Sequence, residues 1–233
     1  MSRSVCIQRL SEARPTILPS LLLCDFARLA DEIAAIEAAG CKGLHLDVMD
    51  GVFVPNITYG MTIVRAVRQC TELPVDVHLM IVEPEKYIEE FRDAGADLLT
   101  VHIEATKTAP ELLQQIRDLD VAAGIAINPD TAIATIEDCV GVADLVLAMS
   151  VEPGFGGQSF NESVLEKFPK LREMFGPEVL LQIDGGINLS TANSAAQAGV
   201  DLFVAGSAIF KSGDYAQALS QLNRELGAVN ERI

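Results

Sequence analysis

Eight short apolar, β-prone runs recur along the chain, and between them apolar residues return at helical spacing. The runs cover residues 16–19, 43–48, 75–80, 98–102, 122–127, 145–150, 179–184 and 202–205. Three junctions share one form: Ala39-Gly40-Cys41-Lys42-Gly43-Leu44, Ala94-Gly95-Ala96-Asp97-Leu98-Leu99 and Ala198-Gly199-Val200-Asp201-Leu202-Phe203. In each, a helix ends, glycine takes the left-handed position that closes it, and a strand begins at once. Strands apolar on both faces and alternating with helices predict a parallel sheet with helices outside. Eight such units close into an α/β fold of one kind, a (β/α)₈ TIM barrel. The open doubly wound sheet is the rival, but no G-x-G-x-x-G follows the first strand. Among the helix signals, Asp25 is placed to cap a helix with the stripe Phe26, Leu29, Ile33 and Ile36, and Pro84 and Pro110 sit where first-turn prolines belong. Pro169 falls inside the sixth helix and should kink or shorten it.

With 233 residues and 49% hydrophobic content, the chain has material for one large core. Barrels of roughly 250 residues fold as a unit, so residues 1–233 read as a single domain with 1–14 a short N-terminal extension. The 33 acidic against 17 basic residues give a formal charge of −16. That balance argues against nucleic acid or an anionic membrane as partner, since phosphate backbones demand basic patches. A small anion is still admissible, because backbone N–H groups hold one without Lys or Arg. Five cysteines with no C-x-x-C pair argue against a disulfide framework and fit a reducing cytoplasm. No secretory h-region is seen, and no apolar run nears the 18 or so residues that span a bilayer.

Barrel chemistry sits at the C-terminal ends of strands. The second strand ends Leu44-His45-Leu46-Asp47-Val48-Met49. Alternation puts His45, Asp47 and Met49 on one face, and the intervening apolar residues suit the helix-facing side. The third strand places Asp76, His78 and Met80 together, and the seventh ends at Asp184, before Gly185 and Gly186. His45, Asp47, His78 and Asp184 thus make an N₂O₂ set for one divalent metal, such as zinc, iron(II), manganese or cobalt. Taken singly, each has a plainer reading as a core histidine or a turn aspartate; their meeting at one rim is what favours the metal. His102 ends the fourth strand near Glu104 and reads as structural or as support for the others. Asp50 and Gly51 read as the turn after the second strand.

Glycine-rich stretches follow the last three strands: Gly154, Gly156 and Gly157 around Phe155, then Gly185 and Gly186, then Gly206 before Ser207. Loops after the seventh and eighth strands, with a short extra helix, form the usual barrel phosphate site. Met49, Met80 and Met149 read first as gap-filling core, and alternatively as an apolar wall keeping water from a reacting centre. No lysine ends the sixth strand, so a Schiff-base aldolase lacks its nucleophile. Neither Asp-x-Lys-x-x-Asp nor G-x-S-x-G occurs.

Seven segments resemble the ribulose-phosphate 3-epimerase family, in the family's order from about residue 16 to 226. They are Pro19-Ser20-Leu21-Leu22-Leu23-Cys24-Asp25-Phe26, the His45 to Gly51 motif, Phe53-Val54-Pro55-Asn56, Asp76 to Met80, the long Met149 to Phe160 stretch, Asp184-Gly185-Gly186 and Val204 to Phe210. Four positions depart from the family pattern: Leu23 and Cys24 where Ser-Ala is usual, Val52 for a common His, and Met61 for a common Pro. The resemblance implies a metal-dependent barrel isomerase of the pentose phosphate pathway, interconverting D-ribulose 5-phosphate and D-xylulose 5-phosphate. It carries over His45, Asp47, His78 and Asp184 as metal ligands, with Asp47 and Asp184 also the acid–base pair. Ser20, His78, Gly154, Phe155, Gly156, Gly157, Gly185, Gly186, Gly206 and Ser207 would hold the sugar phosphate, and a homo-oligomer is expected. The alternatives are a ketohexose (allulose) 6-phosphate 3-epimerase with the same chemistry, and a non-catalytic sugar-phosphate-binding barrel. A metal-free barrel isomerase of amino-acid biosynthesis would leave His45 and His78 unexplained.

Overall fold

A computed structural model describes residues 1–155 and 158–227. Its strands are β1 (Thr16–Pro19), β2 (Leu44–Met49), β3 (Val75–Met80), β4 (Leu98–His102), β5 (Ala122–Ile127), β6 (Leu145–Met149), β7 (Leu180–Asp184) and β8 (Leu202–Ala205). β2 through β8 pair in sequence order, all parallel, and β1 pairs with β8. A parallel bridge between Ser20 and His45 brings β1 back to β2. The barrel and its eight strands are those expected, each end within one residue.

The helices are α1 (Arg3–Ala13), α2 (Leu29–Ala38), α3 (Met61–Cys70), α4 (Ile88–Ala94), α5 (Ala109–Asp118), α6 (Lys167–Phe175), α7 (Ala192–Gln197), α8 (Ser207–Phe210) and α9 (Tyr215–Gly227). Gly40, Gly95 and Gly199 have φ of 92°, 106° and 93°, the left-handed closures expected of the repeated junctions. Three details differ from the simple alternation. Asp25 caps a short 3₁₀ turn, Phe26–Arg28, that leads into α2, and Phe26 lies at the surface. Pro169 falls in the first turn of α6, where its missing N–H costs nothing, and the residues before it form a 3₁₀ segment, Glu162–Glu166. The crossover after β5 is likewise 3₁₀, Ile133–Cys139, where a helix was expected. Ile133, Ile136 and Cys139 recur every third residue, the period of a 3₁₀ helix, and the segment is rich in β-branched residues that favour an α-helix weakly.

Residues 1–14 are more than a tail. Cys6 and Leu10 of α1, one turn apart, pack against the inward Leu18, Leu98, Ala122, Leu145, Leu180 and Leu202 and floor the barrel. Around this lower rim, three aspartates each tie a backbone amide to an arginine. Asp97 accepts from Val75 N and Arg68, Asp144 from Ala123 N and Arg3, and Asp201 from Leu181 N and Arg172. An Asp97→Ala change leaves the Val75 amide unpaired and one carboxylate partner of Arg68 gone. We expect a loss of about 2–3 kcal/mol in urea unfolding, with turnover per folded molecule unchanged; a loss under about 0.5 kcal/mol would contradict the clamp.

Candidate active site

Above the apolar floor the inward positions turn polar. Asp76 of β3 lies opposite His45 in the register, and Asp47 opposite His78. His45 and His78 are fully buried, Asp47 and Asp76 nearly so, while Asp184 at the end of β7 is the member that reaches the cleft with measurable exposure, 15% of its side chain. One ligand atom from each of His45, Asp47, His78 and Asp184 can be chosen so that all four lie within 4.8 Å of one another. Asp47 Oδ1 is 3.3 Å from both His45 Nε2 and His78 Nδ1, and Asp184 Oδ2 is 3.8 Å from His78 Nδ1. Ligands about 2.1 Å from one tetrahedral ion stand about 3.4 Å apart, so these separations fit a divalent cation with only small adjustments. The donor chemistry fits as well, since imidazole and carboxylate together suit zinc and the late first-row metals.

Two of the donors, His45 and Asp47, are held from behind. Asp76 Oδ2 accepts from His45 Nδ1 at 2.7 Å and from Gln182 Nε2 at 2.7 Å, which keeps a proton on Nδ1 and turns Nε2 to the cluster. Ser20 donates to Asp47 Oδ2 at 2.6 Å, so one oxygen of Asp47 faces the histidines and the other faces a hydroxyl. The Asp47 amide donates to Tyr59 Oη, and Thr58 donates to the Asp47 carbonyl, folding the loop after β2 back against the strand end. Asp50 Oδ1 accepts from the Val52 and Phe53 amides, the turn expected there. Asp76 shared a face with His78 in the strand pattern, but nothing in the sequence tied it to Gln182, 106 residues away.

Protein charges alone set the two carboxylates apart. Burial opposes ionisation of Asp47, yet His45 and His78 outweigh it and hold the group well below the usual carboxylate range. Burial pushes Asp184 up, the Asp47 charge pushes it further, and it reaches about 7. Burial works against a charge on His45 too, but Asp76 and Asp47 overcome it and raise its pKa well above the ordinary value. His78, where burial dominates, falls to about 4 and stays neutral. Without a bound cation Asp47 is therefore ionised, while Asp184 titrates near neutral pH.

The cleft over this cluster is lined by Ser20, Asp47, Met49, Met80, Met149 and Asp184 at its floor, and by Gly154, Phe155, Gly185, Gly186, Gly206 and Ser207 on one side. Gly156 and Gly157, expected in the same wall, lie outside the described residues. Among the described lining residues there is no Lys or Arg, so an anion there would be held by backbone amides and hydroxyls. Gly185, at φ 114°, could not carry a Cβ, which would stand 2.6 Å from Val151 Cγ2. Ser207 opens α8, the short extra helix expected after β8. Met49 and Met80 pack with Val54, while Met149 belongs to the inner barrel cluster; all three are at once core and cleft floor.

A model of the ribulose-phosphate 3 epimerase family matches residues 16–210. The chain belongs to the ribulose-phosphate 3-epimerase family. It is 47% identical over 210 residues to the ribulose-phosphate 3-epimerase of Bacillus subtilis strain 168, covering 88% of this chain and 97% of that one. It is 45% identical over 218 residues to the chloroplastic ribulose-5-phosphate-3-epimerase of Arabidopsis thaliana, covering 91% and 78%. Among solved structures, KGPDC from Streptococcus mutans is similar with TM-score 0.69 at 15% identity, covering 93% of this chain and 99% of that one. A 3-hexulose-6-phosphate synthase is similar with TM-score 0.66 at 20% identity, covering 91% and 98%. These two share the barrel. Of the four departures from the epimerase pattern, Leu23 alone lines the cleft, 3.5 Å from where a Cβ on Gly206 would stand. Cys24 is buried in the core, Val52 is exposed, and Met61 begins α3 against the core.

Proposed function

We propose that this chain interconverts D-ribulose 5-phosphate and D-xylulose 5-phosphate by moving the proton at C3, with His45, Asp47, His78 and Asp184 holding one divalent cation. The observation that carries the reading is the pair Asp47 and Asp184: two carboxyls at one cleft floor, close enough to each other and to His45 and His78 to share one ion. Epimerisation beside a ketone takes a proton from one face of C3 and returns one to the other, which needs an ionised and a protonated acid flanking the carbon. Asp47 accepts and Asp184 delivers for one substrate, and the roles reverse for the other. Ser20, donating to Asp47 Oδ2, fixes the lone pairs of the base. When bound, the cation would supply charge neutralisation for the enediolate oxygens. The methionine floor limits water beside the carbanionic carbon. Gly185, Gly186, Gly206 and Ser207 would hold the phosphate, with Gly154 and Phe155 closing over the sugar.

The cation is one of zinc, iron(II), manganese or cobalt, and a reducing cytoplasm accords with the free cysteines Cys6, Cys24, Cys41, Cys70 and Cys139. Among the described residues, no helix is long and apolar enough to cross a membrane. Association of like chains would draw on the exposed Val52 and Ile57 at the barrel mouth.

The test is an epimerisation assay on chelator-treated and metal-restored protein, with five- and six-carbon ketose phosphates side by side. Activity should vanish with chelator, return with metal, and favour the pentose; full activity without metal would reject the reading, and a hexose preference would move it to the sister epimerase. Metal uptake should also depend on pH. Asp184 and His45, both raised, hold protons that ligation must displace, so affinity rises with pH through about 7, where Asp184 titrates, continues to rise as His45 gives up its proton, and protons are released on binding. Calorimetry in buffers of different ionisation enthalpy measures that release.

A further inference from the structure

Behind His78 runs a chain of contacts that no step above uses. His78 Nε2 is 2.8 Å from His102 Nε2, and His102 Nδ1 is 3.1 Å from Glu104 Oε2. Glu104 Oε1 in turn accepts from the Asn128 amide at 2.9 Å and from the Thr131 hydroxyl. Both imidazoles are fully buried. Two ring nitrogens at 2.8 Å share a single proton, so for neutral rings only two arrangements exist.

In the first, His78 donates from Nε2, His102 accepts at Nε2 and donates from Nδ1 to Glu104. His78 Nδ1 then turns a bare lone pair, able to ligate, toward Asp47 Oδ1 at 3.3 Å; that contact is longer than the 3.1 Å between His102 and Glu104, and it is the one a bound cation would replace. In the second, His102 donates to His78. His78 then points an N–H at the cluster, and the His102 Nδ1 lone pair confronts the Glu104 carboxylate with no proton between them. The other oxygen of Glu104 already takes two donors, which fixes the carboxylate in place as an acceptor.

We infer that Glu104 is a positioning residue which, through the tautomer of His102, fixes His78 with its Nδ1 bare toward Asp47 and Asp184 and thereby sets the affinity of the site for a divalent cation. This rests on the metal-site reading above. Glu104 neither lines the cleft nor belongs to the four-residue cluster. It is the counterpart, one histidine removed, of what Asp76 does for His45. An outer partner of this kind commonly carries about 10–100-fold in metal affinity.

The discriminating variant is Glu104→Gln. Its carbonyl oxygen would stay with the two donors from Asn128 and Thr131, which turns the amide NH₂ toward His102 Nδ1. That demands a lone pair on Nδ1, moves the proton to Nε2, and reverses the His102–His78 bond. Two measurements on the full chain read this out. Nitrogen-15 NMR of the metal-free protein assigns each ring tautomer, and cobalt(II) titration against a competing chelator, followed by the visible spectrum, gives affinity. Expected in the parent are His78 protonated at Nε2 and His102 at Nδ1. In Glu104→Gln both tautomers invert, cobalt(II) affinity falls about 10–100-fold, and excess cobalt(II) restores turnover.

If Glu104→Gln does not fold, the parent spectrum still decides, because a proton on His78 Nδ1 there overturns the inference. A folded variant that binds cobalt(II) as tightly as the parent overturns it too, while leaving the metal site standing. A parent that binds no cobalt(II) overturns both.

Discussion

Asp184→Asn and Asp47→Asn should each lower epimerisation by about 10³-fold or more, the larger part of what general acid–base catalysis provides at a single proton transfer. Asn keeps an oxygen that can ligate and nearly the same volume, so neither change empties the core. What each removes is a proton acceptor on one face of the substrate. The two losses differ in kind. Asp47 is the ionised member, held low by His45 and His78 against the cost of burial, so its replacement removes the proposed base at neutral pH. Asp184, at the end of β7, is the proposed carrier of the proton at the opposite face, so its replacement removes the second half of the exchange. Turnover is measured at full metal occupancy, checked by metal analysis, to separate lost proton transfer from lost ligation. Either variant working within tenfold of the parent at full occupancy would sink the two-carboxylate mechanism and leave a sugar-phosphate receptacle.

Asp76→Ala is the second large effect. Asp76 is 1% exposed and accepts from both His45 and Gln182. Its removal strands two buried donors, at a cost of about 2–4 kcal/mol in unfolding free energy. It also frees His45 to take the other tautomer, so metal affinity should fall about 10–100-fold. The pairing of effects matters: a stability loss with unchanged affinity would make Asp76 a packing residue only. Asp76→Asn, which keeps an oxygen for His45 Nδ1–H, should recover part of the affinity; no recovery would argue that the negative charge rather than the acceptor is what His45 needs.

Much of this site was legible because a β-strand alternates. His45 and Asp47, or Asp76 and His78, must share a face whatever the rest of the chain does, and the apolar residues between them assign that face to the barrel interior. The Gly185-Gly186 turn after Asp184 was legible for a similar local reason. Other features depended on contacts far apart in sequence. The Asp76–Gln182 bond joins strands on opposite sides of the barrel, and α1 became a floor because Cys6 and Leu10 met the lower ends of five other strands and β1. The 3₁₀ crossover after β5 was misjudged because a three-residue period and a 3.6-residue period differ little over seven residues.

By itself, the chain's order of residues determined the strand and helix units, their parallel closure into a ring, and which side chains line its upper mouth, since periodicity and glycine placement act within a few residues. Only the tertiary structure decided that burial and charge push Asp184 and Asp47 in opposite directions, and that Glu104 reaches the cluster through His102. Protonation follows burial and charge through space, and those are fixed only when β2, β3, β4 and β7 face one another across the barrel.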